Sequence, residues 1–421
     1  MSDGASSSTT IPARPPWRVA RIGARGDGVA ETPDGPAHIP FAAPGDLVDP
    51  KASPAIVAPA GARVEPVCPH FTDCGGCALQ HLPATVLAAE KRGWLADALT
   101  RRGFDAAAVA ALRAVPSGTR RRARLAYLRT ARGVVLGFNA RRDKRIVDIE
   151  DCAVLHPDLR ALLSPLRRLI AAIGALGKAG DAQLTHADTG VELVFFAKRP
   201  AEPDYADREA LVAFAAERGL ARIGWGDGAG SEPIAAPRAV RVLFGDTPVE
   251  IPPAAFLQPS REGEALIRTA VLAALPQLPA RLAIADLYAG CGGIGLVLAQ
   301  RGHKVLAVDG AAASIAALRK AAGPLPIQAE IRDLVRKPLS AKELARFDVA
   351  VFDPPRAGAA RQAEALAESA VETVIAVSCN PATLARDLGI LAAGGYRLRR
   401  AVPIDQFPWA AHLEAVCVMT R

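Results

Sequence analysis

The stretch "LAIADLYAGCGGIGLVLAQRGHKVLAVDG", residues 282–310, constrains the fold more than any other. It reads as an apolar strand, a glycine turn, a helix and a second apolar strand. An Ala/Leu-rich helical segment (262–275) precedes it, and units of the same kind follow in "FDVAVFDPPRAG" and "TVIAVSCNPATLARDLGILAAGGY". Continuous apolar strands alternating with helices are buried on both faces. This rhythm places the chain in the α/β class, with a doubly wound, mostly parallel sheet. Such sheets bind ligands at the carboxyl ends of their strands.

The residues at those ends carry chemistry. Asp286 closes the first strand, and Gly290, Gly292, Gly293 and Gly295 fill the turn. Without a Cβ, the backbone there can take positive φ and approach a ligand closely. Asp309 ends the next strand, where a carboxylate binds a ribose diol. The spacing suits a dinucleotide or S-adenosylmethionine; a G-x-G-x-x-G turn is missing and the unit comes late in the chain, which disfavours NAD. Asp353-Pro354-Pro355-Arg356 closes another strand, its prolines denying a helix start and pushing a rigid loop outward. Ser378-Cys379-Asn380-Pro381 closes a fourth, so 286, 309, 353 and 379 should share one edge. A thiol at that rim, followed by a helix N-terminus, is a candidate nucleophile, against the blander fate of a small buried side chain. Cys417, in "LEAVCVMT", reads as a core strand residue, and Cys291 as packing within the turn.

With 421 residues, 50% of them hydrophobic and 22% charged, the chain should carry more than one domain. A net charge of +8 favours an acidic partner such as nucleic acid. No apolar run is long and charge-free enough to span a bilayer. Residues 1–16, small, polar and Pro-rich, read as a disordered tail of a cytoplasmic protein. Residues 17–60 alternate short apolar stretches with Gly-Asp-Gly and Pro-Gly-Asp turns, as a small β-barrel does. Residues 61–250 form a central domain with arginine-rich hairpins, and 251–421 hold the α/β unit. Arg120, Arg121, Arg122, Arg124, Arg141, Arg142, Lys144 and Arg145 are candidates to meet phosphates. Phe138, Phe256 and Tyr288 are the few aromatics suited to stacking a base.

Seven cysteines without a secretion signal argue against a disulfide framework. Cys68-x5-Cys74-x2-Cys77, with Cys152 downstream, offers four thiolates to a metal; spacing alone leaves zinc and iron–sulfur both open.

The combination of "SCNPATLARDL", "FDPPRAG", "DLYAGCGGIGLVLA", "AFLQPS" and the terminal "HLEAV" resembles the RNA uracil-C5 methyltransferases, specifically the 23S ribosomal RNA branch with an iron–sulfur cluster. The resemblance implies a class I S-adenosylmethionine-dependent methyltransferase fold. It implies Cys379 as nucleophile and Glu414 as base. Gln258, Tyr288, Gly293, Asp309, Asp333 and Asp353 match positions that hold the cofactor. "CPHFTDCGGCALQH" matches the family's cluster pattern and implies a [4Fe–4S] cluster on Cys68, Cys74, Cys77 and Cys152. Residues 17–60 resemble a TRAM module, an OB-like RNA-binding barrel. The implied partner is 23S ribosomal RNA, with a monomer and no membrane or obligate protein partner. The same chemistry on transfer RNA, and a non-catalytic RNA-binding protein on this scaffold, are the alternatives. Some positions depart from the family: Ser260 replaces a usual Asn, and Gly293 offers only backbone where a side-chain amide is common.

Overall fold

A computed structural model describes residues 16–53, 55–60, 62–198, 201–226, 230–277 and 280–421. The expected tail lies outside these residues except for position 16.

The C-terminal half is built on an eight-stranded sheet. Its order is Ile327–Ile331, Lys304–Asp309, Ala283–Leu287, Val349–Phe352, Thr373–Ser378, Glu414–Thr420, Arg397–Asp405 and Arg113–Ala114. The first five strands run parallel. Glu414–Thr420 runs antiparallel between Thr373–Ser378 and Arg397–Asp405. That reversal brings its first residue, Glu414, to the edge where the parallel strands end.

Side-chain alternation buries both faces. Val374, Ala376, Ala415, Cys417 and Met419 enter one core, whereas Ile375, Val377, Val416 and Ile404 enter the other. The first core also takes Leu384 and Leu388 from helix Pro381–Ala393; the second takes Ile267 and Val271 from helix Arg261–Ala273. Cys417 is fully buried and Cys291 sits in a core cluster behind the glycine turn, both as the sequence suggests.

The N-terminal module is a five-stranded sheet over Trp17–Ala58, and residues 122–235 form a seven-stranded sheet covered by helices Leu163–Ala172 and Tyr205–Glu217. The boundary expected at residue 251 is crossed. Helix Ala84–Thr100 buries Trp94, Leu95 and Leu99 in the same core as Leu287 and Leu388, and Arg113–Ala114 forms the far edge of the eight-stranded sheet. Apolar periodicity revealed the helix but not its docking partner. The helix also grips the N-terminal sheet: Trp94 Nε1 donates to the Ile22 carbonyl at 2.7 Å and Glu90 accepts from the Ile22 N–H at 2.7 Å. Lys91, fully buried, donates to Asp405 at 2.7 Å and to the Phe407 carbonyl at 3.0 Å. Removing one partner of such a buried pair typically costs about 3–5 kcal/mol.

Candidate active site and nucleic-acid cleft

Cys379 follows the last residue of its strand and is half-buried. Asn380 explains its placement. The Asn380 side chain caps helix Pro381–Ala393 by accepting from the Ala382 N–H at 3.1 Å, while its Nδ2 donates to the Arg356 carbonyl at 3.1 Å. Pro381 occupies the first helical turn, where no N–H is needed. Thr383 Oγ1 donates to the same Arg356 carbonyl at 3.2 Å. The turn that follows the thiol is therefore bolted twice to the carbonyl that ends the Asp353-Pro-Pro-Arg loop. Burial pushes the thiol's pKa up, and Glu414 and Asp353 push it further; the Arg356 guanidinium opposes them. That guanidinium also meets His412, 2.9 Å from Nδ1. Burial and the Arg356 charge hold His412 down to about 4, so it stays neutral beside the arginine.

Two carboxyls face Cys379. Glu414 is 2% exposed, and Asp353 follows strand Val349–Phe352. A line of amides joins them. Gln406 Nε2 donates to Glu414 Oε2 at 2.8 Å and to Gln258 Oε1 at 2.9 Å, and Gln258 Nε2 donates to Asp353 Oδ2 at 2.9 Å. Burial raises Asp353 to about 7 despite the Gln258 bond. Burial, and then the Asp353 charge, raise Glu414 well above the usual carboxylate range. The antiparallel insertion of its strand buries Glu414.

The glycine turn lies alongside. Asp309 accepts from Gly290 N–H at 2.9 Å and from Ala311 N–H at 2.7 Å, which shapes the loop around its carboxylate. Gly292, at φ +94°, sits where a Cβ would meet Leu318 at 2.1 Å. Tyr288 is itself at φ +63°, a conformation costly for a bulky side chain and found where the surroundings over-determine it. Asp286 is buried, and desolvation lifts its pKa to about 8. Asp333 accepts from the Val335 N–H at 3.0 Å, flanked by the exposed apolar side chains Ile331 and Val335.

Cys68, Cys74, Cys77 and Cys152 line one cavity of about 180 Å³, with His412 on its wall. His412 also lines a larger cleft, about 930 Å³, that opens onto Cys379 and Asn380. Arg25, Arg101, Arg141, Arg142 and Arg356 line this cleft, and among the described residues no carboxylate does. Its walls come from the N-terminal sheet, the loop at Gly75 and Gly76, the central hairpin at 138–142 and the catalytic edge.

Residues 329–421 match the family model described as tRNA (Uracil-5-)-methyltransferase. Over 417 residues the chain is 42% identical to an uncharacterized RNA methyltransferase of Brucella suis, covering 96% of this chain and 97% of that one. It is 34% identical over 377 residues to the 23S rRNA (uracil(1939)-C(5))-methyltransferase of Chromohalobacter salexigens, covering 85% of this chain and 77% of the relative. The chain belongs to the RNA uracil-C5 methyltransferases. Its fold is shared with the Pyrococcus abyssi tRNA (uracil-54, C5)-methyltransferase solved with S-adenosyl-L-homocysteine: TM-score 0.71 at 24% identity, covering 96% of this chain and 100% of that one.

Within this methyltransferase the arginine run divides by burial. Arg121 is 3% exposed, pairs with Glu264 at 3.1 Å and donates to the Gln258 carbonyl at 3.0 Å; it braces the active-site loop and is closed to phosphate. Arg120 lies against the cysteine cavity. Arg124 pairs with Asp181 at 2.9 Å and Arg145 with Asp73, whereas Arg141 and Arg142 share Asp27 and still line the cleft. Arg25 and Arg101, absent from the sequence reading, line it too and make no ion pair among the described residues. Phe138 lines the cleft, while Phe256 is exposed beneath Arg122, 5.0 Å from the guanidinium. Gln406 was also missed: a lone Gln at a strand end gives no signal without its partners.

Proposed function

We propose that this RNA uracil-C5 methyltransferase modifies a uridine of 23S ribosomal RNA through a covalent adduct on Cys379. The observation that carries the reaction is that Glu414 and Asp353 both act on the Cys379 thiol, which itself opens onto an arginine-lined cleft. The 34% identity to a 23S rRNA enzyme supports the ribosomal substrate. C5 of uracil is a poor nucleophile, so Cys379 adds at C6 and converts the ring to an enolate. S-adenosylmethionine, when bound, supplies the methyl group to C5. Glu414 then takes the C5 proton, the ring double bond re-forms and the C6–S bond breaks, returning the thiolate. The target base must leave its stack to reach the thiol.

The donor set fits the cofactor. Asp309 offers a carboxylate for the ribose, and Asp333 a polar edge between the apolar Ile331 and Val335, as a purine requires. Gly293, with Tyr288, contributes backbone beside them. Gln258 and Asp353 hold the boundary between cofactor and uracil. Labelled methyl transfer to separated ribosomal and transfer RNA, with mapping of 5-methyluridine, tests the substrate. Label in transfer RNA alone overturns the ribosomal reading; label in neither overturns the activity.

The same proposal places a [4Fe–4S] cluster on Cys68, Cys74, Cys77 and Cys152. Among the described residues no three of these sulfurs lie within 4.8 Å of one another, whereas tetrahedral zinc, with Zn–S near 2.3 Å, needs separations of about 3.8 Å. Arg120 and Lys91, both buried cations, act on Cys77, which suits a group of net negative charge. The residues 17–58 sheet is read as the TRAM-like RNA-binding module. Protein purified anaerobically should be coloured, with visible absorption; colourless protein holding stoichiometric zinc contradicts this assignment.

The cleft makes a further prediction. Replacing Arg25 and Arg101 by alanine should lower the slope of log affinity against log salt by about 0.7 each on single-stranded RNA. Turnover at saturating RNA should stay unchanged, and an unaltered slope would remove these residues from the interface.

A further inference from the structure

We propose that Gln406 is a positioning residue that holds Glu414 for proton removal and, through Gln258, ties it to Asp353. This rests on the reading of Glu414 as the base. Gln406 directly follows strand Arg397–Asp405, and Glu414 opens the strand paired with it, in register with Ile404. The two side chains therefore meet at the catalytic edge by strand pairing. Gln406 is 2% exposed. Its one amide nitrogen spends both hydrogens, on Glu414 Oε2 and on Gln258 Oε1.

That double donation sets the direction of the line. Because Gln258 receives on its oxygen, its own NH₂ is left to face Asp353, and it donates there. Both carboxyls are acceptors, each held through one oxygen. Glu414 Oε1 is buried with no hydrogen-bond partner. A base needs such an oxygen: fixed through its neighbour, dry and unspent.

Gly263 supplies independent support. It lies in the first turn of helix Arg261–Ala273, and its N–H donates to the capping Ser260 Oγ at 2.9 Å. A Cβ there would sit 2.5 Å from Gln406 Oε1 and 2.6 Å from Gln406 Cβ. Gly263 has no positive φ, so space alone calls for glycine: the helix packs directly against Gln406.

The test separates formation of the RNA adduct from its resolution in single-turnover time courses read on denaturing gels. Gln406→Met keeps side-chain length and removes both donors. Adduct formation should stay close to the unaltered rate, while resolution slows by about 10- to 100-fold, the usual effect of losing a hydrogen bond to a charged group. Gly263→Ala keeps the amide but displaces it, and should show the same split to a smaller degree; it serves if Gln406→Met does not fold. Equal slowing of both phases, or unchanged resolution, overturns the proposal. Glu414→Gln distinguishes the two readings. If it accumulates no adduct, the base assignment fails; if it does and neither Gln406→Met nor Gly263→Ala slows resolution selectively, only the role of Gln406 fails.

Discussion

Cys379→Ala should abolish methyl transfer, with turnover falling on the order of 10⁴-fold or more, as removal of a covalent nucleophile does. Affinity for RNA and for S-adenosylmethionine should change little, because the cleft arginines and the glycine turn are untouched. The size of the loss follows from chemistry: without addition at C6 there is no enolate, and C5 cannot take a methyl group. The environment of the thiol adds a requirement. Burial, Glu414 and Asp353 all raise its pKa above a value already high for neutral solution, and Arg356 is the opposing charge. Attack must be coupled to loss of the thiol proton. Normal turnover by Cys379→Ala, measured by labelled methyl incorporation, would show that the nucleophile is another residue.

Glu414→Gln should lower turnover by about 10²- to 10⁴-fold, the range for loss of a general base. It should do so with an opposite signature. Addition and methylation proceed, the C5 proton stays, and a protein–RNA species survives denaturation. Glutamine preserves size and the contact with Gln406 but offers no basic oxygen. Loss of activity without a trapped species would place Glu414 before the adduct rather than after it.

Much of this site is legible in the sequence because local rules determine it. The glycine turn, the acid at the end of the second strand, the proline pair and Cys379 before Asn-Pro each mark a strand end. A doubly wound sheet needs no further information to gather such ends on one edge. Asn380 illustrates where the local rule stops: its place before Pro381 marks the helix start that it caps, whereas its bond to the Arg356 carbonyl spans 24 positions. What sequence could not give depends on pairing between distant segments. Glu414 is buried because its strand inserts antiparallel between two others. Gln406 gains its partners only in the fold: Glu414 across the strand pair and Gln258, 148 positions away. Arg121, drawn from a run that reads as a phosphate-binding face, is buried against Glu264. The docking of helix Ala84–Thr100 falls in the same class, since periodicity shows that a face is apolar and not which surface it covers.

That docking bears on how such a protein can change over generations. The helix threads one core from the N-terminal sheet to the catalytic sheet, and Lys91 anchors it to the strand that ends at Asp405, just before Gln406. The N-terminal sheet and the catalytic sheet are thus not cassettes that recombination could exchange at a linker. A graft that replaced the front of the chain would strip apolar cover from the catalytic sheet and leave Asp405 as a stranded charge.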